Sequence, residues 1–301
     1  MERTRLGRDF RLSVRMAVAL LFVAAMYLLA LLLSFAVLVS VIADRAWGAL
    51  LGWFIFAAAL VIVAVMHWLH GDDLVLRTVR AKRPERDEQP KLREILDRLA
   101  ATADVPPPDL ALIRSWAPNA LAAGMTPRRA TIAVTTELLR RLDEGELEAV
   151  AAHELSHVAN RDGMVMTFVS GPAMLGSAMW NADNPRGKIA YLILYWPVHF
   201  VGLCLMWTIS RYREYVADRG AVAIIGAPEQ LMSALLKITE REPRGDLRGG
   251  AAVSALCIVP GQRKSRLDFL RRFEIFMDHP PLEKRLSRLS DLARELGKPA
   301  R

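Results

Sequence analysis

Long uncharged hydrophobic runs alternate with charged stretches along this chain, and their lengths indicate which segments cross a membrane. Residues 16–42 carry no charged side chain and follow an arginine-rich start, and a second uncharged run covers residues 49–69. About 20 apolar residues in a helix are enough to cross a hydrocarbon core of roughly 30 Å. Residues 1–80 are therefore predicted to form an N-terminal membrane anchor with two transmembrane helices.

Two further apolar runs, residues 164–180 and 189–209, predict a membrane hairpin. The first of them is short and contains a Gly-Pro pair, so a buried helical hairpin that does not fully cross the bilayer is the alternative. His199 lies inside the second run, where it either has a functional role or satisfies a backbone carbonyl freed by Pro197. Basic residues flank the outer ends of both pairs of runs, which predicts a cytoplasmic location for the segments beside them.

The remaining segments have the spacing of apolar and polar residues that is typical of a soluble domain. Helical spacing of apolar residues and short β-like runs both occur, and they predict helices at 91–103, 145–160, 228–240 and 282–296 with strands at 110–116 and 130–136. The predicted fold class is therefore mainly α with a small β-sheet. Its second domain, residues 81–301, is interrupted by the membrane hairpin at 164–209.

Composition and charge narrow the choice of partners. The 301 residues are 53% hydrophobic and carry a formal net charge of +8. The basic residues cluster beside the apolar runs and are not interleaved with aromatic residues, so an anionic lipid bilayer is predicted as the partner and nucleic acid is not. The two cysteines, Cys204 and Cys257, provide neither a disulfide framework nor a thiolate zinc site.

The predicted helix at 145–160 carries a metal-binding pattern, His153-Glu154-Leu155-Ser156-His157. Residues four apart lie on one face of a helix, so His153 and His157 can bind a single zinc ion through their imidazoles. Glu154 then points beside the metal, where it can accept a proton from a zinc-bound water. The alternative interpretation is a pair of surface histidines on an ordinary helix.

A carboxylate pair after the last apolar run offers a third ligand. Glu214 and Asp218 are four residues apart in a predicted helix. Two histidines and one glutamate form a catalytic zinc site that leaves a position open for water, so Glu214 is predicted to be the third ligand. Asp218 is predicted to accept a hydrogen bond from a ligand imidazole and to fix its tautomer. Without the histidines, the same pair would indicate a solvated acidic edge among arginines.

These motifs occur in an order that resembles a known family of integral-membrane zinc metalloproteases, which includes the bacterial heat-shock HtpX proteins and the eukaryotic CAAX prenyl endopeptidase. The resemblance covers nearly the whole chain. Besides the apolar runs, it depends on residues 119–124, 147–162, 213–218 and 279–285. It implies a gluzincin-like metalloprotease domain attached to transmembrane helices.

The resemblance also implies roles for individual residues. It makes His153, His157 and Glu214 the ligands of one zinc ion per chain, Glu154 the general base and Asp218 a support for a ligand. It further implies that residues 119–124 form a substrate-facing edge strand, with Asn119, Ala120 and Ala122 as the contact region. His279 matches a histidine near the catalytic site in the family, and on this resemblance it is predicted to be a catalytic residue.

The sequence thus predicts a multi-pass zinc endopeptidase of the cytoplasmic (inner) membrane whose catalytic domain faces the cytoplasm. Its expected substrates are unfolded polypeptides or damaged and misfolded membrane proteins, which is a function in stress response. An alternative within the same class is the processing of specific lipid-anchored or signal-like peptides. An alternative from another class is a membrane scaffold with a structural zinc site, which four protein ligands usually close.

Overall fold

The computed structural model describes residues 75–85, 88–166, 196–240 and 279–297, together with isolated helical positions between residues 14 and 73. The predicted spans at 16–42 and 49–69 lie outside the described residues apart from these isolated positions, and so does 164–180 apart from its first three residues. Within the described part of the chain, no helix is both long enough and apolar enough to cross a membrane.

The described chain is mainly helical and contains one small sheet. In chain order its main elements are α1 (Pro90–Ala103), β1 (Asp109–Ile113), β2 (Ala120–Ala123), β3 (Thr131–Thr135), α2 (Thr136–Arg141), α3 (Glu144–Ala159), α4 (Trp196–Ile225), α5 (Pro228–Thr239) and α6 (Leu282–Glu295). The predicted helices and the two predicted strands are present with small differences at their ends. Strand β2 and helix α2 are additional elements that the sequence patterns did not predict.

The sheet has the strand order β1-β3-β2. Strand β3 lies in the centre, and its five residues are all buried. It pairs with β1 in parallel and with β2 in antiparallel orientation. Strand β2 therefore lies at one edge of the sheet, as the family resemblance implied for residues 119–124, and it packs against α3.

Helix α3 runs through the centre of the domain. Its N-terminus is fixed by a capping box, in which the Asp143 carboxylate accepts a hydrogen bond from the Glu146 N–H at 2.9 Å and the Glu146 carboxylate accepts one from the Asp143 N–H at 3.0 Å. Every residue from Ala149 to Val158 is buried. A helix that is buried on all sides needs neighbours on all sides, and α3 contacts α1, α4, α5 and β2.

The apolar run that ends at residue 209 and the carboxylate pair that follows it belong to one continuous helix, α4. This helix crosses α3 at very short distance. A Cβ atom added at Gly220 would lie 2.0 Å from Ser156 Oγ and 2.9 Å from Ser156 Cβ, so the absence of a side chain at residue 220 permits the contact. The close approach brings the carboxylates of α4 next to the histidines of α3.

We expect Gly220→Ala to push α4 away from α3, because the added methyl group overlaps Ser156. Overpacking of this kind costs about 1–3 kcal/mol of unfolding free energy. The measurement is the thermal unfolding midpoint, together with the zinc content of the purified protein, and both are expected to fall. Gly145→Ala on α3 is the control, because an added Cβ there meets only the flexible end of the Gln230 side chain, at 3.0 Å or more, and the backbone is not left-handed. Partial recovery in Gly220→Ala/Ser156→Ala would show that the Ser156 side chain is the obstacle, and an unchanged Gly220→Ala protein would contradict the interpretation.

Candidate active site

Helix α3 presents the two histidines of the sequence pattern to one point. His153 and His157 are buried, and their Nε2 atoms lie 3.2 Å apart. The two rings are almost perpendicular, with an interplanar angle of 88°. The lone pairs of two imidazole nitrogens repel each other at this distance. The arrangement is therefore favourable only if a shared proton or a cation lies between the two nitrogens.

Glu214 on α4 completes the group. Its Oε2 atom lies 3.5 Å from His153 Nε2, and its Oε1 atom lies 3.5 Å from His157 Nε2. Ligands about 2.0–2.1 Å from a tetrahedral zinc ion are separated by about 3.3–3.4 Å. The observed separations of 3.2 and 3.5 Å are close to this value, and the two distances of 3.5 Å are made by different oxygens of the Glu214 carboxylate, which lies across both histidines. The residues present thus fit a zinc ion held by His153, His157 and Glu214, with one corner left for another ligand.

Glu154 lies beside this group and not in it. It is 1% exposed, and among the described residues neither of its carboxylate oxygens has a hydrogen-bond partner. Burial raises the pKa of Glu154, while the nearby His157 and His153 lower it by less. A buried carboxylate without a protein partner is costly unless a further group binds to it. A water molecule at the open corner of the metal site would supply that group.

The outer nitrogen of His153 faces Asp218. Asp218 Oδ1 lies 3.1 Å from His153 Nδ1, so the structure places Asp218 beside this imidazole; the hydrogen bond between them stays a prediction. Arg285 of α6 holds this carboxylate on both oxygens, at 2.9 Å through Nε and 2.6 Å through Nη2. Burial alone would raise the pKa of Asp218, but Arg285 and His153 together hold it below its usual value.

The outer nitrogen of His157 faces Asp162, which the sequence analysis did not select. Asp162 Oδ2 lies 2.6 Å from His157 Nδ1 and 3.1 Å from Nε of Arg213. Asp162 and Arg213 are both 2% exposed. Each ligand imidazole therefore contacts an aspartate, and each aspartate is paired with a buried arginine. Asp162 lies three residues after the end of the helix with the HExxH pattern, and this proximity was the available sequence signal.

His279 and Arg285 bring the C-terminal segment to the site. His279 is 5% exposed, and its Nδ1 atom lies 3.8 Å from Glu214 Oε1. Arg285 Nη1 lies 3.3 Å from Glu214 Oε2. Burial raises the pKa of Glu214, but His153, His279 and Arg285 outweigh it and hold the pKa well below the usual value. The structure thus places His279 beside the third ligand; its participation in catalysis stays a prediction. The sequence patterns did not predict Arg285 as a site residue, although it lies in the segment 279–285 on which the family resemblance depends.

The predicted substrate-binding residues lie on the strand next to the metal site. Asn119 precedes β2, is buried, and accepts hydrogen bonds from the Ala120 N–H at its side chain and from the Thr135 N–H at its carbonyl. Ala120 is buried and Ala122 is half-buried. A small cavity joins the end of β2 to the metal site and is lined by Ala122, Ala123, Gly124, His157, Val158, Asp162, Gly163 and Arg213. Substrate contact at Asn119, Ala120 and Ala122 stays a prediction.

The fold and the site together define an HExxH metallopeptidase with a glutamate as third ligand. Residues 86–293 match the peptidase family M48, and the chain belongs to this family. It is 35% identical to a protease HtpX homolog of Moorella thermoacetica, and the alignment covers 98% of each chain. It is 36% identical to protease HtpX homolog 1 of Streptomyces coelicolor, with coverage of 98% of this chain and 97% of that relative.

The fold is also similar to a solved structure. The crystal structure of S. mikatae Ste24p matches 92% of this chain and 67% of that chain, with a TM-score of 0.51 and 17% sequence identity. At this identity the similarity concerns the fold alone. The match to peptidase family M48 and the similarity to HtpX homologs confirm the family that the sequence motifs indicated, and they confirm that the protein is a peptidase.

Proposed function

We propose that this protein is a membrane-bound, zinc-dependent endopeptidase that hydrolyses peptide bonds in damaged or misfolded membrane proteins. The observation that carries the proposal is the buried Glu154 carboxylate beside His153, His157 and Glu214. A structural zinc site needs no such base, whereas hydrolysis of a peptide bond does.

The residues of the site supply the elements of peptide hydrolysis. His153, His157 and Glu214 would hold a zinc ion, which would supply the Lewis acidity that lowers the pKa of a bound water and polarises the scissile carbonyl. Glu154 accepts the proton of the attacking water and then donates it to the leaving amine. Its burial favours this role, because a carboxylate with a raised pKa is a stronger base. Asp218 and Asp162 keep the two imidazoles oriented with Nε2 toward the metal.

The proposed substrate class follows from strand β2. An extended polypeptide can add to a sheet edge through main-chain hydrogen bonds, which do not depend on its sequence. Ala122 and Ala123 of β2 line the same small cavity as His157, so a chain added at this end of the strand would lie beside the metal site. Sequence-independent binding suits a protease that removes misfolded proteins. Cleavage at one strict consensus in all substrates would instead favour the processing of specific peptides.

The membrane location is proposed from the sequence and the position of the site. Only a short turn separates His157 from residue 164, where the third apolar run begins, and Glu214 lies shortly after residue 209, where the fourth ends. Because both ligands belong to segments that flank one predicted hairpin, the zinc would lie close to the inner surface of the bilayer. Chains that emerge from the membrane would then reach the site before freely diffusing proteins do.

We therefore expect a membrane-tethered unfolded substrate to be cleaved at least about tenfold faster than its soluble form in reconstituted liposomes, because tethering raises its effective concentration near the site. Cleavage is measured by gel densitometry with the wild-type protein, and the Glu154→Gln protein gives the background. The same substrates in detergent, where no common bilayer holds enzyme and substrate together, provide the control. Equal rates for tethered and soluble substrates in liposomes would contradict a substrate class defined by the membrane.

The cytoplasmic orientation has a separate test. In a variant without Cys204 and Cys257, a cysteine at Asp183 should react with a membrane-impermeant reagent in intact cells, whereas one at Arg241 should react only after lysis. Both positions lie outside the described residues and follow from the predicted hairpin at 164–209. Reaction at residue 241 in intact cells would reverse the proposed topology.

A further inference from the structure

His153 and His157 each contact an aspartate, but the two aspartates reach the histidines from different kinds of backbone structure. Asp218 follows Glu214 by one helical turn, so helix geometry alone places it near the metal. Asp162, in contrast, comes after the end of α3 and has to turn back to reach His157. Its Oδ2 atom nevertheless lies 2.6 Å from His157 Nδ1, and it is buried.

The backbone shows how this turn is made. Helix α3 ends at Ala159. Arg161 then has a φ of 57°, in the left-handed backbone region that residues other than glycine rarely adopt. The Arg161 side chain is exposed. A further helical segment begins at Asp162, directly after this left-handed residue, and the Asp162 carboxylate reaches His157 in the last turn of α3. A strained conformation at this place indicates that the contact between Asp162 and His157 is specified by the structure.

Arg213 fixes Asp162 from the other side. It precedes Glu214 on α4, and its Nε atom lies 3.1 Å from Asp162 Oδ2. Arg213 is among the largest fully buried side chains of the described protein, and neither its Nε nor its Nη1 atom forms a hydrogen bond within the described residues, so its contact with Asp162 is an ion pair. A buried arginine whose N–H donors lack hydrogen-bond partners lowers the free energy of unfolding. Within the described residues, its ion pair is with the carboxylate that contacts His157.

We infer that Asp162 and Arg213 form a positioning pair that orients His157 for zinc. Asp162 accepts the Nδ1 proton of His157, so that Nε2 is left with a lone pair directed at the metal. Arg213 holds Asp162 in place, and because it adjoins Glu214 it joins the second and third ligands into one unit. The inference depends on the proposed zinc centre. Zinc binding without any proteolysis would leave it intact and reject the proposed function.

The main experiment replaces the whole pair in Asp162→Leu/Arg213→Met. Replacement of a buried ion pair by apolar side chains often leaves stability unchanged or raises it. We therefore expect the metal-free variant in detergent to unfold at or above the wild-type midpoint. Its zinc affinity, measured by competition with a chelator, should nonetheless fall roughly 10–100-fold, which is the usual effect of losing an outer hydrogen-bond partner of a ligand. The absorption bands of the Co²⁺-loaded protein should shift, because the orientation of one ligand changes.

The control makes the same change in another ion pair of α3. Glu148 and Arg98 join α3 to α1 at 3.0 Å without contact to a ligand. Glu148→Leu/Arg98→Met should keep both the zinc affinity and the Co²⁺ spectrum of the wild type. An equal loss of affinity in this control would show that the effect is general to α3 and would overturn the inference.

A second variant covers failure of the first to fold. Asp162→Asn has the same shape but lacks the charge that pairs with Arg213, and we expect about tenfold weaker zinc binding. The inference is overturned if the folded double variant binds zinc within about threefold of the wild type. It is equally overturned if the double variant does not fold and Asp162→Asn keeps both wild-type affinity and the wild-type Co²⁺ spectrum.

Discussion

Replacement of Glu154 by glutamine is expected to abolish proteolysis and to leave the zinc content unchanged. Glu154 is next to His153 in the chain but is not among the atoms that converge on the metal position. Its buried carboxylate is the group that can take a proton from the attacking water. Loss of a general base lowers turnover roughly 10²–10⁴-fold. Cleavage of a denatured protein and zinc content by atomic absorption are the two measurements.

Glu148→Gln is the matched control, because it makes the same substitution on the same helix at a residue that pairs with Arg98 on the surface. It should keep wild-type turnover and zinc. A Glu154→Gln protein that digests the substrate at the wild-type rate would show that another residue is the base. Loss of zinc in that variant would instead place Glu154 in the ligand set.

The same variant should also change the pH dependence of stability in the metal-free protein. Because burial raises the pKa of Glu154, its protonated form is favoured by folding. That contribution is present below the unfolded-state pKa and is lost as the pH rises through the folded-state value. The metal-free wild type should therefore unfold at a lower temperature than Glu154→Gln at neutral pH. The difference should shrink near pH 4, and a constant difference over this range would contradict the raised pKa.

Replacement of Glu214 by glutamine is expected to remove zinc as well as activity. Glu214 supplies one of the three converging ligands, and a neutral amide oxygen binds zinc more weakly than a carboxylate. The loss of zinc affinity should therefore exceed the 10–100-fold that follows from loss of an outer hydrogen-bond partner. Glutamine is preferred to alanine here, because it keeps the side-chain volume next to Arg285 and His279.

Glu229→Gln on α5 provides the comparison for Glu214→Gln. Glu229 is exposed, so the same substitution there should leave zinc binding and activity at wild-type values. Full zinc occupancy in Glu214→Gln, measured after dialysis against a chelator, would remove Glu214 from the ligand set. It would leave the chain without the third protein ligand that the proposed mechanism requires.

The helices of this domain were predictable because their signals are local. Apolar residues at helical spacing define α1, α5 and α6, and the capping box marks the start of α3. Strand β2 was not predictable in the same way. Ala120–Ala123 has no β-branched or aromatic residue, and its extended form depends on pairing with β3 and packing on α3.

The metal ligands were also predictable from local spacing. One turn of helix separates His153 from His157, and another separates Glu214 from Asp218, so each pair shares a face in any protein where the segment is helical. The choice of Glu214 as third ligand needed only the coordination chemistry of zinc. The structure brings these ligands together.

Tertiary structure alone decided what surrounds the ligands. The ion pairs of Asp162 with Arg213 and of Asp218 with Arg285 join residues far apart in the chain, and no periodicity connects them. They form because α4 crosses α3 at the narrow contact of Gly220 with Ser156, and because α6 packs against α4. Spacing along a helix determines which residues can bind one ion together. Only the packing of helices determines which charges become buried beside them, because the cost of burying a charge depends on every neighbour that the fold supplies.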